Sequence, residues 1–237
     1  MKHQPVIYCA IDTPDLNAAR LLAAAMQDAG CGIKLGLEFF NANGPQGIAA
    51  IRNACPDVKL FLDLKCHDIP NTVAGAVRAV IALAPSYLTL HASGGTAMMQ
   101  AAHNAAAEES MRLGVLPPAL LAVTVLTSLD DAVLDAVGQT VPAEQQVLKL
   151  ARLTHAAGLP GIVCAGPDIS AVRKALGQNF ILMVPGIRPS GSAAMDQKRV
   201  MTPKDAMVTG ATHLVIGRPI TRAADPAQAA RDILATL

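Results

Sequence analysis

Short apolar, β-branched runs alternate with longer Ala-rich segments of helical period along the whole chain. Eight runs read as strands, over residues 6–11, 31–37, 58–64, 87–92, 120–126, 161–165, 180–186 and 213–217. The spacing predicts helices over 15–29, 45–54, 71–84, 96–113, 143–157, 168–176, 202–209 and 226–237. Asp168 and Thr202 are residues of the kind that cap a helix N-terminus. Pro203 and Pro226 fall where a first helical turn tolerates proline. Gly30, Gly158 and Gly177 follow helical stretches as stops.

The strand runs are continuously apolar, which suits a parallel sheet covered by helices. Eight strand–helix units in series predict an α/β fold, a single (β/α)8 TIM barrel. An open doubly wound sheet is the competing architecture. It typically uses fewer strands, and the first turn, DTPDLN, lacks the glycine-rich dinucleotide fingerprint. The 237 residues lie close to the roughly 250 typical of such barrels. With no Pro/Ser linker, charge block or low-complexity tract beyond Ala-rich helices, one domain over 1–237 is expected.

Composition narrows the setting. The chain is 52% hydrophobic and 16% charged, ample for a large core. A net charge of +1 offers no general attraction for nucleic acid or an anionic membrane, so any bound anion needs a local site. Five cysteines without metal-type spacing suggest reduced, packing thiols in the cytoplasm. The N-terminus lacks a signal-type apolar stretch, and no run approaches the roughly 20 residues of a membrane span.

In such a barrel the chemistry sits at the C-terminal ends of the strands, so charges there are informative. Asp12 follows the first strand, Lys34 interrupts the second, and Asp63 and Lys65 end the third. Asp63 and Lys65 are two apart, so an extended segment points both side chains to one face, and Lys34 can complete an alternating row. Asp68 follows in the turn, ahead of Thr72. A lysine flanked by carboxylates stays protonated, which makes it a poor Schiff-base nucleophile and a well-placed acid. A structural ion-pair network is the plainer reading of an isolated Asp–Lys pair. Four alternating charges at strand ends favour chemistry.

A second constellation lies late in the chain. Arg188 follows the seventh strand in PGIRPSGSAAMDQKR, whose small residues suit a mobile loop carrying Gln197. Gly217 and Arg218 follow the eighth in IGRPI, and Thr127 follows the fifth. Barrels commonly bind phosphate between the loops after strands seven and eight, where glycine admits backbone N–H groups and arginine adds bidentate bonds. His91, at the end of the fourth strand, can face the rim or serve structurally. No histidines show metal-site spacing.

The segment LDLKCHDIPNTV resembles the signature of the orotidine 5′-phosphate decarboxylase family, Asp-x-Lys-x-x-Asp-Ile-x-x-Thr. AID, GIKLGLEFF, LTS, PGIRP, DQKR and IGRPI fit the same family in order, most like its compact bacterial branch. The resemblance implies decarboxylation of orotidine 5′-phosphate without a cofactor or metal, Lys65 delivering the proton to pyrimidine carbon six. Asp63 and Lys34 would complete the charged network. Asp68 and Thr72 would enter the neighbouring site of a homodimer. Asp12 would contact the substrate near the ribose and Thr127 the pyrimidine ring. Arg188, Gln197, Gly217 and Arg218 would hold the phosphate.

Two rivals remain open at this point. Metal-dependent sugar-phosphate aldolases and decarboxylases share the Asp-x-Lys-x-x-Asp core but carry an acidic ligand where this chain has Lys34, a cation that repels Mg²⁺. A non-catalytic nucleotide-binding protein would need the phosphate corner but not the charge array.

Overall fold

The computed structural model describes residues 6–189 and 201–237. Gln197 and the rest of residues 190–200 lie outside the described residues. Eight parallel strands close into a barrel in sequence order: β1 (Ile7–Ile11), β2 (Gly32–Gly36), β3 (Leu60–Cys66), β4 (Tyr87–His91), β5 (Ala119–Val123), β6 (Gly161–Val163), β7 (Ile181–Val184) and β8 (His213–Ile216). Closure comes from β1 pairing β8, with Ile7 opposite Leu214 and Cys9 opposite Ile216. The expected barrel is therefore present and the open doubly wound sheet is overturned.

Around it lie α1 (Leu16–Asp28), α2 (Leu37–Ala54), α3 (Pro70–Ile81), α4 (Gly95–Leu113), α5 (Asp131–Ala136), α6 (Ala143–Ala156), α7 (Ile169–Leu176), α8 (Pro203–Thr209), α9 (Arg218–Thr221) and α10 (Pro226–Leu234). Three features depart from the sequence reading. The helix expected from residue 45 begins at Leu37, and its two halves meet at Gly44, whose φ of 61° breaks the helix just before Pro45. The short α5 and α9 were not anticipated, being too brief to carry a helical period. Asp168 does not cap α7; it ends a 3₁₀ turn and accepts a hydrogen bond from the Ala165 N–H at 3.1 Å.

Other boundary signals hold. Thr202 accepts from the Asp205 N–H at 3.2 Å, and Pro203 and Pro226 open α8 and α10. Gly30, Gly158 and Gly177 all have positive φ.

The strands divide the core in two. Residues such as Ile7, Cys9, Ile11, Ile33 and Leu62 pack outward in the layer shared with the helices. Tyr8, Ala10, Phe61, Tyr87, Leu121, Met183 and Val215 fill the barrel interior. Both follow from the two-residue repeat of a strand. Tyr8 meets Tyr87 edge-to-face at 5.5 Å between ring centroids and Phe61 at 6.0 Å, a favoured aromatic geometry. Gly32 stands opposite Tyr8, and a Cβ there would collide with the Tyr8 ring. These aromatic rings lie near the strand N-termini, which leaves the other end of the barrel for polar side chains. No helix among the described residues is long and apolar enough to cross a membrane.

Candidate active site

The barrel opens at the C-terminal ends of its strands into a cavity of about 440 Å³. Asp12, Lys34, Asp63, Lys65, Thr127, Arg188, Gly217 and Arg218, all anticipated from the sequence, line it together. They come from strands or loops far apart in sequence and meet only because the barrel closes. Phe61, Val123, Val163 and Val215 supply apolar wall, so the polar groups work beside a low-dielectric surface.

Asp63 is the hub. It is buried, and its Oδ2 lies 2.7 Å from Lys65 Nζ and 3.3 Å from Lys34 Nζ. Its Oδ1 accepts a hydrogen bond from the Thr89 hydroxyl at 2.9 Å. Burial opposes ionisation of this carboxyl. The two ammonium groups and the hydrogen bonds from Lys65 and Thr89 together outweigh that effect and hold it below the ordinary carboxylate range. Lys34 also approaches Asp12 Oδ1 at 3.6 Å, so the order Asp12–Lys34–Asp63–Lys65 alternates in sign across three adjacent strands.

The route by which Lys65 reaches Asp63 differs from the expected one. Lys65 is not extended: its φ is 50°, in the left-handed region that non-glycine residues seldom occupy. The β3–β4 register shifts between Leu62 and Cys66, so a bulge rather than strict alternation brings the two side chains together.

Asp68 and Thr72 are exposed, one in the turn before α3 and one within it, and neither lines the cavity of its own chain. His91 closes β4 beside His67, with ring centroids 5.4 Å apart, and is not part of the cavity wall. Burial lowers its pKa below the usual histidine value; the charges of His67 and Lys65 act the same way and that of Asp63 opposes them.

Sequence reasoning missed Thr89 and Arg222. Threonine suits a strand by its β-branched shape alone, so the residue type at Thr89 carried no signal. Arg222, which lines the cavity, follows Arg218 by four residues across α9, so helical spacing carried a usable signal. Arg188 is buried, and its Nη1 donates to the Ile187 carbonyl at 2.9 Å.

A closed parallel (β/α)8 barrel with ammonium and carboxylate groups at the strand ends defines a barrel enzyme whose site is held on rigid strands. The chain belongs to the Orotidine 5'-phosphate decarboxylase / HUMPS family, whose sequence model matches residues 5–233. It is 54% identical to an orotidine 5'-phosphate decarboxylase of Rhodospirillum rubrum over 228 residues, covering 96% of this chain and 92% of that one. It is 48% identical to one of Dichelobacter nodosus over 237 residues, covering 100% of both chains. The fold is similar to the crystal structure of the decarboxylase from Lactobacillus acidophilus, with a TM-score of 0.85, 33% identity and 99% of each chain covered.

Proposed function

We propose that this chain is a carboxy-lyase that converts orotidine 5′-phosphate to uridine 5′-phosphate and carbon dioxide, a step of pyrimidine synthesis, without a cofactor. The observation that carries the reading is the Lys65 ammonium, 2.7 Å from a buried carboxylate that a second lysine also neutralises. Membership of the family and the names of its relatives support the substrate.

The chemistry follows from the charges. The bond between pyrimidine carbon six and the carboxylate breaks, and its electron pair stays on carbon six as carbon dioxide leaves. Lys65 is a fixed ammonium beside the developing carbanion, an effect strongest where water is excluded. It then donates its proton to carbon six and regains one from solvent. Asp63 pairs with Lys65 and aims it, and Lys34 holds the same carboxylate oxygen in place. Asp12 serves the ribose, Thr127 the ring, and Arg188, Gln197, Gly217 and Arg218 the phosphate. Binding energy at the phosphate, far from the reacting carbon, contributes orientation.

In this reading the whole chain, 1–237, acts as one barrel domain in a cytoplasmic homodimer. Asp68 and Thr72 reach the neighbouring site, which agrees with their exposure outside their own cavity. The metal-dependent alternative has no support here: the Lys34 ammonium already lies against the carboxylates of Asp12 and Asp63 that a divalent cation would need.

The test is direct. Purified protein mixed with orotidine 5′-phosphate should change the pyrimidine absorbance and release carbon dioxide and uridine 5′-phosphate in equal amounts, undiminished by a chelator. Tight binding without turnover would leave a nucleotide-binding protein instead, and loss of turnover with chelator would return the metal-dependent reading.

A further inference from the structure

β3 advances from Leu62 to Cys66 while β4 advances only from Leu88 to Leu90, so the bulge leaves Asp63, Leu64 and Lys65 facing a single β4 residue, Thr89. A bulge removes backbone groups from the strand ladder, and a buried N–H so released needs a partner. The Lys65 N–H finds one in the Thr89 hydroxyl oxygen, at 3.0 Å. The same hydroxyl donates its one proton to Asp63 Oδ1 at 2.9 Å. Thr89 is fully buried.

We propose that Thr89 is a positioning residue for the reaction: one hydroxyl fixes both the backbone of Lys65 and the rotation of the Asp63 carboxylate. The inference rests on the proposed decarboxylation and names a residue that acts on it through Lys65 and Asp63, without touching the substrate. Its logic is directional. A hydroxyl has one proton and can accept through its lone pairs, so donation to Asp63 leaves it an acceptor toward Lys65. With Oδ1 so held, Oδ2 is turned to both ammonium groups. The left-handed backbone at Lys65 is a conformation that persists only when its surroundings impose it. Thr89 is the side chain that does so from the neighbouring strand. A valine has nearly the same shape and neither hydrogen bond, whereas a serine keeps both.

The experiment compares Thr89→Val and Thr89→Ser with the parent protein by two measurements. In the first, kcat and KM for orotidine 5′-phosphate are determined for variants whose circular dichroism matches the parent. Thr89→Val should lower kcat on the order of a hundredfold with KM within threefold, because the phosphate grip is untouched, and Thr89→Ser should restore most of kcat. In the second, amide hydrogen exchange at Lys65 is followed in the free protein. It should quicken in Thr89→Val and stay slow in Thr89→Ser. A Thr89→Val enzyme within twofold of the parent kcat, a serine variant as impaired as the valine one, or unchanged Lys65 exchange would each overturn the proposal. Absence of turnover in the parent would strike the decarboxylase reading alone, and the exchange measurement would still decide the role of Thr89.

Discussion

The two ends of the barrel interior bury polar groups under opposite rules. Near the strand N-termini, Tyr8, Tyr87 and His213 sit among apolar and aromatic neighbours, and burial pushes each toward its neutral form. His213 is driven down to about 4 and Tyr87 up to about 12. At the other end Asp63 is equally buried, yet it is held in its charged form because two ammonium groups face it. Depth in the barrel does not decide ionisation; the partner does.

The neutral state of His213 is itself fully bonded. The Thr212 hydroxyl donates to the Leu182 carbonyl at 3.0 Å, so it accepts from His213 Nδ1 at 2.9 Å. That tautomer leaves Nε2 to accept from the Tyr87 hydroxyl at 3.1 Å. A proton on Nε2 would break this arrangement without supplying a counter-charge.

The largest expected effect is at the charged end. Lys65→Ala should lower kcat by at least on the order of a thousandfold, since in the proposed mechanism it removes both the electrostatic stabiliser and the proton donor. The fold should survive, because Lys34 and Thr89 still satisfy Asp63. Appreciable turnover in a rapid-quench assay would remove Lys65 from the mechanism and reduce the charged cluster to a structural network.

Next comes the neutral end. His213 has a folded-state pKa of about 4 against an ordinary 6.5, so between these values the unfolded chain binds the extra proton. Its contribution is present above pH 6.5 and is lost as pH falls toward 4, to a total of about 3 kcal/mol. Denaturant titrations of the parent and His213→Gln should therefore converge on acidification. Parallel pH profiles would break the contrast between the two ends.

The smallest effect sharpens the division within the charged end. Arg218→Ala should cost about 2 kcal/mol of binding, roughly thirtyfold in KM, for phosphate-bearing ligands. The bare nucleoside should bind nearly as before; equal losses for both, measured by calorimetry, would remove Arg218 from the phosphate corner.

Much of this was legible in the chain. Parallel strands buried on both faces must be apolar throughout, so the charges of Lys34, Asp63 and Lys65 stood out against them. Arg188 and Arg218, just past the ends of the last two strands, stood out the same way. The bulge was not legible, because neither glycine nor proline marks it and Lys65 gives no hint of a positive φ. Thr89 was hidden for a related reason: threonine suits strands by shape alone, and only the neighbouring register reveals what its hydroxyl does. Asp68 and Thr72 matched a motif, yet the geometry of one chain leaves them outside its cavity.

Barrel closure also sets a timetable. β1 carries Asp12 just beyond its end, and it has no second edge partner until β8 is made, with Ile7 waiting for Leu214. On a ribosome the first strand emerges long before the last, so Asp12, Lys34, Asp63 and Lys65 are synthesised before the arginines that line the same cavity, Arg188, Arg218 and Arg222. Contacts this distant in sequence form slowly, and a truncation just ahead of β8 leaves an open sheet edge and a cavity without Val215, Gly217 and Arg218. Turnover should therefore be among the last properties a newborn chain acquires, and its onset reports completion of the ring.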